Sequence, residues 1–352
     1  MGRPPIPRVL DDLRDDWLSS VLGRDVGACS VERIGEGVGI LGVIARITLG
    51  DRTTLVAKIG SDFEETIQLV TAYGFYLTEA GFYRDVAHRD LGLRLAGCLY
   101  VDVSESGDAV VLLLEDLGGG RTFDQIAGCP LEMAERVVDS IATFHAHWWD
   151  SPELHSMTWL RPLNNPAYKA GQATYQQVFP LLVEKHDGRW TGAAMDIARR
   201  WGEQLPEMYD VAMAASPLTI AHTDLRLDNL FFDLPDGSPF AVLDWQLTVR
   251  APGAFDVSYF CAESLTIADR RAHEEALVRR WHGGLVESGV TGYSFDAAWA
   301  DYRRALVMQM SIPVVGSFMP MANERAEQLV DVMLDRAMTA LDDHRPVEFF
   351  LD

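Results

Sequence analysis

No stretch of this sequence approaches the roughly 20 consecutive apolar residues that a bilayer-crossing helix needs, so no membrane span is expected. Cysteine is scarce. The four present, Cys29, Cys98, Cys129 and Cys261, lie far apart, with no C-x-x-C pair and no histidine spacing that suggests zinc. They are expected as reduced core residues in a reducing compartment. Positive charge is in deficit: 30 Lys and Arg stand against 52 Asp and Glu, a formal net charge of −22. That argues against nucleic acid as the main partner, because phosphate backbones would be repelled. The acidity suits a cationic substrate, a metal site, or solubility alone. The opening "MGRPPIPRVLDDLRDDW" lacks the order of a secretory signal. It also lacks the Ser or Thr at the sixth position that myristoylation favours. The expected compartment is the cytoplasm. Internal repeats and low-complexity tracts are missing too.

What is present fits a globular protein. Apolar residues make up 48% and charged residues 23% of 352, enough for a sizeable core in two domains or one two-lobed domain. Residues 9–22, with Leu and Trp at helical spacing, predict an opening helix. "SVERI", the glycine-rich "GEGVGILG", "VIARITL", "GDR" and "TTLVAKIG" then predict an antiparallel meander. Residues 64–89 read as helix weakened at Gly74 and Gly81, and "RLAGCLYVDV" and "AVVLLLEDL" as a hairpin turned by "SESGD". The glycines of "GGGR", residues 118–121, read as a hinge. Beyond it, helices are expected over 130–150, 165–214 (broken at "HDGRW"), 268–288, 294–311 and 322–343. The expected class is α+β, with a small β-rich part at 1–117 and a larger helical part at 118–352.

Several residues are candidates for chemistry. Gly37, Gly39 and Gly42 spell G-x-G-x-x-G, which in a dinucleotide-binding fold opens a helix. Here alternating "VIARITL" follows. The context therefore favours a β-hairpin flap whose glycines let backbone amides approach phosphates; a merely flexible hairpin is the alternative. Lys58 lies in "LVAKIG", sixteen residues after Gly42. A lysine among apolar neighbours in a central strand is costly unless its ammonium is paired. Glu79 is the favoured partner, Glu64 and Glu65 compete for the role, and an edge strand with Lys58 in solvent is the alternative.

In "HTDLRLDNLFF", Asp224 and Asn229 are five apart, and Asp244 lies fifteen beyond Asn229 at the end of "FAVLD". Magnesium prefers carboxylate and amide oxygens together with phosphate, which makes Asn229 and Asp244 a sensible metal pair. Asp224 is then left to accept a proton from an attacking hydroxyl. Arg226 would turn positive charge toward a transferring phosphoryl group. No role falls to Asp228. His145 and His147 in "FHAHWW" are two apart, face different ways on a helix, and read as packing.

"HTDLRLDN" resembles the H-x-D-x-x-x-x-N catalytic loop of aminoglycoside phosphotransferases, choline kinases and, as H-R-D-x-x-x-x-N, protein kinases. "LDW" matches the segment that replaces D-F-G in the small-molecule branch, and "GAFDVSYF" resembles that branch's G-x-x-x-D-L-A. The order of motifs matches over roughly residues 30–260. "DLRLDNLFF", "VLDWQ" and "PGAFDVSYF" carry a closer likeness to ecdysteroid-kinase-like phosphotransferases. The resemblance implies a protein-kinase-like bilobal fold. Its N-lobe is a small antiparallel β-sheet with one main helix, and its C-lobe is larger and mostly helical. The first lobe, 1–117, would bind nucleotide, and the second, 118–352, would carry catalysis and acceptor binding.

Carried over residue by residue, Asp224 is the catalytic base, and Asn229 and Asp244 bind Mg²⁺. Lys58 contacts the ATP phosphates and pairs with Glu79. Backbone groups around Glu115, Asp116 and Leu117 hold the adenine. Arg226 stands where protein kinases place a phosphate-binding lysine, His222 braces the loop, and Asp256 steadies it by hydrogen bonding. The implied activity is ATP- and Mg²⁺-dependent transfer to a hydroxyl of a small molecule. No A-P-E segment is present, which disfavours a protein kinase. A nucleotide-binding regulator without turnover is the other alternative, disfavoured by the intact set of Lys58, Asp224, Asn229 and Asp244. For the acceptor, an apolar alcohol, sterol or hydroxy acid is slightly favoured over an aminoglycoside or choline-like cation. The Met-rich segment 307–321 is expected as core or as a flexible acceptor pocket, and Glu263 as a residue facing the acceptor.

Overall fold

The structure is a computed structural model that describes residues 4–35, 41–318 and 323–351. In chain order its helices and strands are α1 (Asp15–Leu22), β1 (Ser30–Ile34), β2 (Gly42–Thr48), β3 (Thr54–Gly60), α2 (Glu64–Tyr73), α3 (Phe75–Asp85), β4 (Cys98–Val103), β5 (Val110–Glu115) and α4 (Leu131–Trp148). There follow α5 (Glu153–Ser156), α6 (Pro166–Lys185), α7 (Gly192–Ala215), β6 (Thr219–Ala221), β7 (Leu230–Phe232), β8 (Phe240–Val242) and β9 (Val249–Ala251). The chain ends in α8 (Ala254–Ser264), α9 (Ile267–Glu287), α10 (Phe295–Met308), α11 (Ser311–Gly316) and α12 (Glu324–His344). The class is α+β.

Contacts divide the chain into two units. One comprises Met1–Asp90, Arg94–Arg121 and Phe231–Leu247; the other comprises Leu91–Leu93, Thr122–Leu230 and Thr248–Asp352. This differs from the expected split at 117/118. The first unit runs on to Arg121 and takes back Phe231–Leu247, because backbone pairing ties that segment to it. Arg121 and Phe232 exchange two hydrogen bonds of 2.7 Å, and Val242 donates to the Arg94 carbonyl at 3.1 Å.

The first unit is built on a five-stranded sheet of order β1-β2-β3-β5-β4, with every adjacent pair antiparallel. Strand alternation sends Leu55, Ala57 and Ile59 of β3, with Ile47 of β2 and Val111 and Leu113 of β5, into one buried cluster with Trp17 and Leu18 of α1. Burying a large apolar side chain contributes roughly 1.5–3 kcal/mol. The opening helix is interrupted. Asp12 accepts from the amides of Arg8 and Val9 and closes a separate 3₁₀ turn at Leu10–Asp12 before α1 begins. The helix expected over 64–89 also divides, at Gly74, whose φ of 72° ends α2 in a left-handed cap. The second half, α3, stops at Asp85.

In the second unit the helices carry the core. Their starts are capped by side chains of Asn165, Thr191, Thr266, Ser294 and Asn323. Helix α4 buries Val137, Val138, Ile141, Phe144, His145 and Trp148, a helical stripe that packs on α9. Every residue of α8 is buried, the carboxylates of Asp256 and Glu263 included. Val307, Met308, Met310 and Val314 of the Met-rich segment are core residues; its end at 319–321 lies outside the described residues. Among the described residues no helix is long and apolar enough to cross a membrane.

Candidate active site

In the first unit, β3 lies between β2 and β5, and Lys58 pairs in register with Ile44 and Leu112. It is therefore in a central strand, on the face opposite Leu55, Ala57 and Ile59. Its ammonium meets Glu79 of α3 at 2.9 and 2.8 Å and Asp244 Oδ1 at 2.7 Å. Burial opposes the charge on Lys58, but Asp244 and Glu79 more than offset it and raise its pKa. One cation shared by two carboxylates cannot fully stabilise both. Glu79 is 1% exposed, and its burial outweighs Lys58 and pushes it up to about 7. Glu64 and Glu65 are not part of this pair.

Asp244 follows β8 in a left-handed turn, φ 63°. The Trp245 ring stacks on Phe82 of α3 at 3.9 Å between centroids and 7° between planes. That contact fixes the turn to the helix that carries Glu79. Gln246 donates to the other Asp244 oxygen at 3.2 Å.

Of the glycine motif, Gly37 and Gly39 lie outside the described residues. Gly42 opens β2 opposite Gly60, where an added Cβ would stand 2.7 Å from the Ile59 carbonyl oxygen. Close passage of β2 over β3 is thus sufficient reason for glycine there. Tyr76 of α3 ties the start of β2 to the end of β3, donating to the Leu41 carbonyl and accepting from the Ser61 amide at 2.8 Å.

Glu115 ends β5, and Asp116 and Leu117 follow it. The Glu115 carboxylate takes Arg94 at 2.7 and 2.9 Å and the Gly97 amide at 3.0 Å. Arg94, the Gly97 amide bond and the favourable charge together lower its pKa despite partial burial. Asp116 takes Arg46 at 2.7 Å and the Gly118 amide at 2.9 Å. Both side chains are thus held by partners inside their own unit.

The second unit holds the loop His222–Asn229. The amides of His222 and Thr223 each donate at 2.8 Å to the carboxylate of Asp256 in the first turn of α8. The Asp224 amide donates to His222 Nδ1 at 3.2 Å. Asn229 reaches back with Nδ2 to the Asp224 carbonyl at 2.8 Å and carboxylate at 2.9 Å. Both bonds use the amide nitrogen, which leaves Oδ1, the atom a cation would take, outside the pair. Arg226 stands 3.1 Å from Asp224 and 2.8 Å from Asp228. Asp228 therefore has a place, as the second carboxylate that holds this guanidinium. An incoming phosphate would compete with both for it.

Two neighbours went unrecognised in the sequence. His145 of α4 lies 3.2 Å from Asp256 Oδ2. Its signal was a histidine in the buried stripe of an amphipathic helix, where a polar atom needs a partner. Tyr259, one turn after Asp256 on α8, has its hydroxyl held well above the ordinary value by burial and then by the negative charge of Asp224. Glu263, expected to face an acceptor, is instead sealed: both carboxyl oxygens are buried without a hydrogen-bond partner. Burial pushes it up to about 8, with Arg336 and Arg226 opposing.

Asp224, Arg226, Asn229, His222 and Asp256 are thus brought together in the second unit, and Lys58, Glu79 and Asp244 in the first. Among the described residues no cluster of three or more His, Cys, Asp or Glu could cage a metal ion. Magnesium is commonly held by one or two carboxylates plus substrate phosphates, and the Asp244 carboxylate of the first unit and the Asn229 amide oxygen of the second are each of a donor type it accepts.

The model of a family described as "Phosphotransferase enzyme family" (APH) matches residues 47–299. No curated protein matches the chain. Among solved structures it is similar to a putative aminoglycoside phosphotransferase from Ralstonia eutropha, with a TM-score of 0.56 and 15% identity, over 94% of this chain and 97% of that one. It is also similar to an ethanolamine kinase of Plasmodium vivax, with a TM-score of 0.54 and 10% identity, over 88% and 81%. A third is the amicoumacin kinase hAmiN in complex with AMP-PNP, Ca²⁺ and Ami, with a TM-score of 0.53 and 12% identity, over 89% and 88%. These likenesses show a kinase-like fold.

Proposed function

The chain belongs to the phosphotransferase enzyme family, and on that premise we propose that it transfers the γ-phosphoryl group of ATP to a hydroxyl of a small molecule, with magnesium. The observation that carries the proposal is Lys58, buried in a central strand and held by Glu79 and Asp244. An ammonium kept charged at that cost suits the α- and β-phosphates of a nucleotide. Gly37, Gly39 and Gly42 are assigned to the phosphates, and the backbone at Glu115, Asp116 and Leu117 to the adenine. In the first unit Asp244 offers magnesium a carboxylate; in the second Asn229 offers it an amide oxygen. The ion supplies neutralisation of phosphate charge.

Asp224 takes the proton from the acceptor hydroxyl as its oxygen bonds to the γ-phosphorus and the bond to ADP breaks. Its amide bond to His222 and its bonds from Asn229 hold it ready for that task. Arg226 adds positive charge for the transferring group and leaves Asp228 to engage it. Asp256 and His222 serve the loop's shape.

The quoted "DLRLDNLFF", "VLDWQ" and "PGAFDVSYF" support a place near ecdysteroid-kinase-like phosphotransferases within the family. An apolar alcohol, sterol or hydroxy acid is the favoured acceptor over an aminoglycoside or choline-like cation. In support, the acidic residues are spread along the whole sequence and not gathered in one acceptor loop. The net charge of −22 supports a partner other than nucleic acid, and four free cysteines support a cytoplasmic setting.

The test is ADP release with a panel of sterols, hydroxy acids, amino alcohols and aminoglycosides, on the unmodified protein and on Asp224→Asn. Loss of a general base lowers transfer by roughly 10²–10⁴-fold, while nucleotide affinity stays within about twofold. Full transfer by Asp224→Asn removes the base assignment. A protein that binds no ATP removes the whole reading.

A further inference from the structure

His145 was set aside as packing, yet it sits at the centre of a directed chain of hydrogen bonds. The indole N–H of Trp281 on α9 points at His145 Nδ1, 3.1 Å away. An indole nitrogen only donates, so Nδ1 is the acceptor and the ring carries its proton on Nε2. That nitrogen faces Asp256 Oδ2 at 3.2 Å. The tautomer is therefore set by Trp281, and the proton is delivered to the carboxylate. Asp256 accepts from His145 Nε2 and the His222 amide on Oδ2, and from the Thr223 amide on Oδ1. His145, Asp256 and His222 are fully buried, so no water substitutes for a lost donor.

The end of this chain is strained. Thr223 has φ 61°, a left-handed conformation that a β-branched residue adopts only at a cost of about 1–3 kcal/mol. Such strain persists where the surroundings over-determine it. Here the two amides at His222 and Thr223 are pinned to a carboxylate whose own orientation is set from behind by His145. The next residue is Asp224. The space for the imidazole is also specific: a Cβ on Gly253 would stand 2.8 Å from His145 Nδ1. Gly253 has φ −62°, so its glycine serves room for the ring and not an unusual backbone.

We infer that His145, with its tautomer set by Trp281, is a positioning residue of the transfer site. It orients Asp256, which holds Thr223 in its strained conformation and so places Asp224 against the acceptor hydroxyl. The inference rests on the phosphotransferase reading for its consequence in rate, but not for its consequence in structure.

The experiment compares His145→Leu, which removes the donor, His145→Gln, which keeps an N–H near the Nε2 position, and Trp281→Phe, which frees the tautomer. Residue-resolved amide hydrogen exchange is measured on each, together with the steady-state rate of ATP hydrolysis, water being the acceptor. In His145→Leu the amides of His222 and Thr223 should exchange at least about tenfold faster, with those of α12 unchanged. Its kcat should fall about 100-fold, as a misplacement of roughly 1 Å allows, with KM for ATP within about twofold. His145→Gln should recover most of both, and Trp281→Phe should fall between.

Unchanged exchange at 222–223 in a folded His145→Leu overturns the inference. So does equal acceleration throughout the second unit, or a His145→Gln as impaired as the leucine variant. If His145→Leu does not fold, the comparison is Trp281→Phe against His145→Gln: faster exchange at 222–223 only in Trp281→Phe is expected, and equal behaviour overturns it. An unmodified protein that binds no ATP counts against the phosphotransferase reading alone, because the exchange result stands without it.

Discussion

Replacing Glu263 with Gln should make the protein more stable at mildly alkaline pH and leave it nearly unchanged in acid. Glu263 is fully buried on α8 and both its oxygens lack a partner. Its pKa stands at about 8 against 4.5 for an ordinary glutamate. Between those values the fold keeps a proton that the unfolded chain has given up. Stability therefore falls as pH rises across that window, and the slope vanishes below it, where both states are protonated. At about 1.36 kcal/mol per pH unit the whole effect is ~5 kcal/mol. Glutamine has the same shape and cannot ionise. At about pH 5 the two proteins should agree to within about 1 kcal/mol, and at about pH 8 the variant should lead by several. Urea transitions followed by the fluorescence of the nine tryptophans, at about pH 5, 6.5 and 8, give both curves. Their difference cancels every other titrating group. Parallel curves would falsify the reasoning, since they require Glu263 to be ionised and compensated in the fold.

Two further outcomes follow from the first unit. Lys58→Met leaves the carboxylates of Glu79 and Asp244 facing each other without their cation, and should cost about 3–5 kcal/mol; adding Glu79→Leu should return part of the loss. Thermal melts with and without ATP check this, and an unchanged midpoint in Lys58→Met refutes it. Gly42→Ala drives a methyl against the backbone oxygen of Ile59, 2.7 Å away, and should cost about 1–3 kcal/mol. Retention of the parent midpoint would mean that β2 and β3 separate without strain.

The sheet of the first unit was legible because its strands alternate and because a lysine among apolar neighbours announces its need for a carboxylate. The same logic did not extend to helix ends. The break at Leu10–Asp12 depends on which amides Asp12 captures, and the break at Gly74 on a glycine that actually turned left-handed; Gly81, equally suspect in the sequence, stays inside α3. In the loop His222–Asn229 and after β8, spacing identified Asp224, Asn229 and Asp244 as candidates but not their partners. Arg226 was expected to reach outward and is held by Asp224 and Asp228, a local ion pair that spacing permits without requiring. His145 was read as packing, and it is buried, but spacing gave no sign of its bond to Asp256. That bond is tertiary: His145 lies in the buried stripe of α4, and its partner Asp256 is 111 residues away.

The first unit is interrupted in sequence, and that has a consequence for how the protein is made. Leu247 lies 126 residues beyond Arg121, and Trp245, the ring that stacks on Phe82, comes near the end of that interval. At a synthesis rate of roughly 5–20 residues per second, the first unit waits about 6–25 s for its last piece. Through that time Phe82 has no stacking partner, and Lys58 and Glu79 lack Asp244. A fragment ending at Arg121 would be caught permanently in the same state, so a chaperone that shields nascent apolar surface has a defined interval in which to act on this chain.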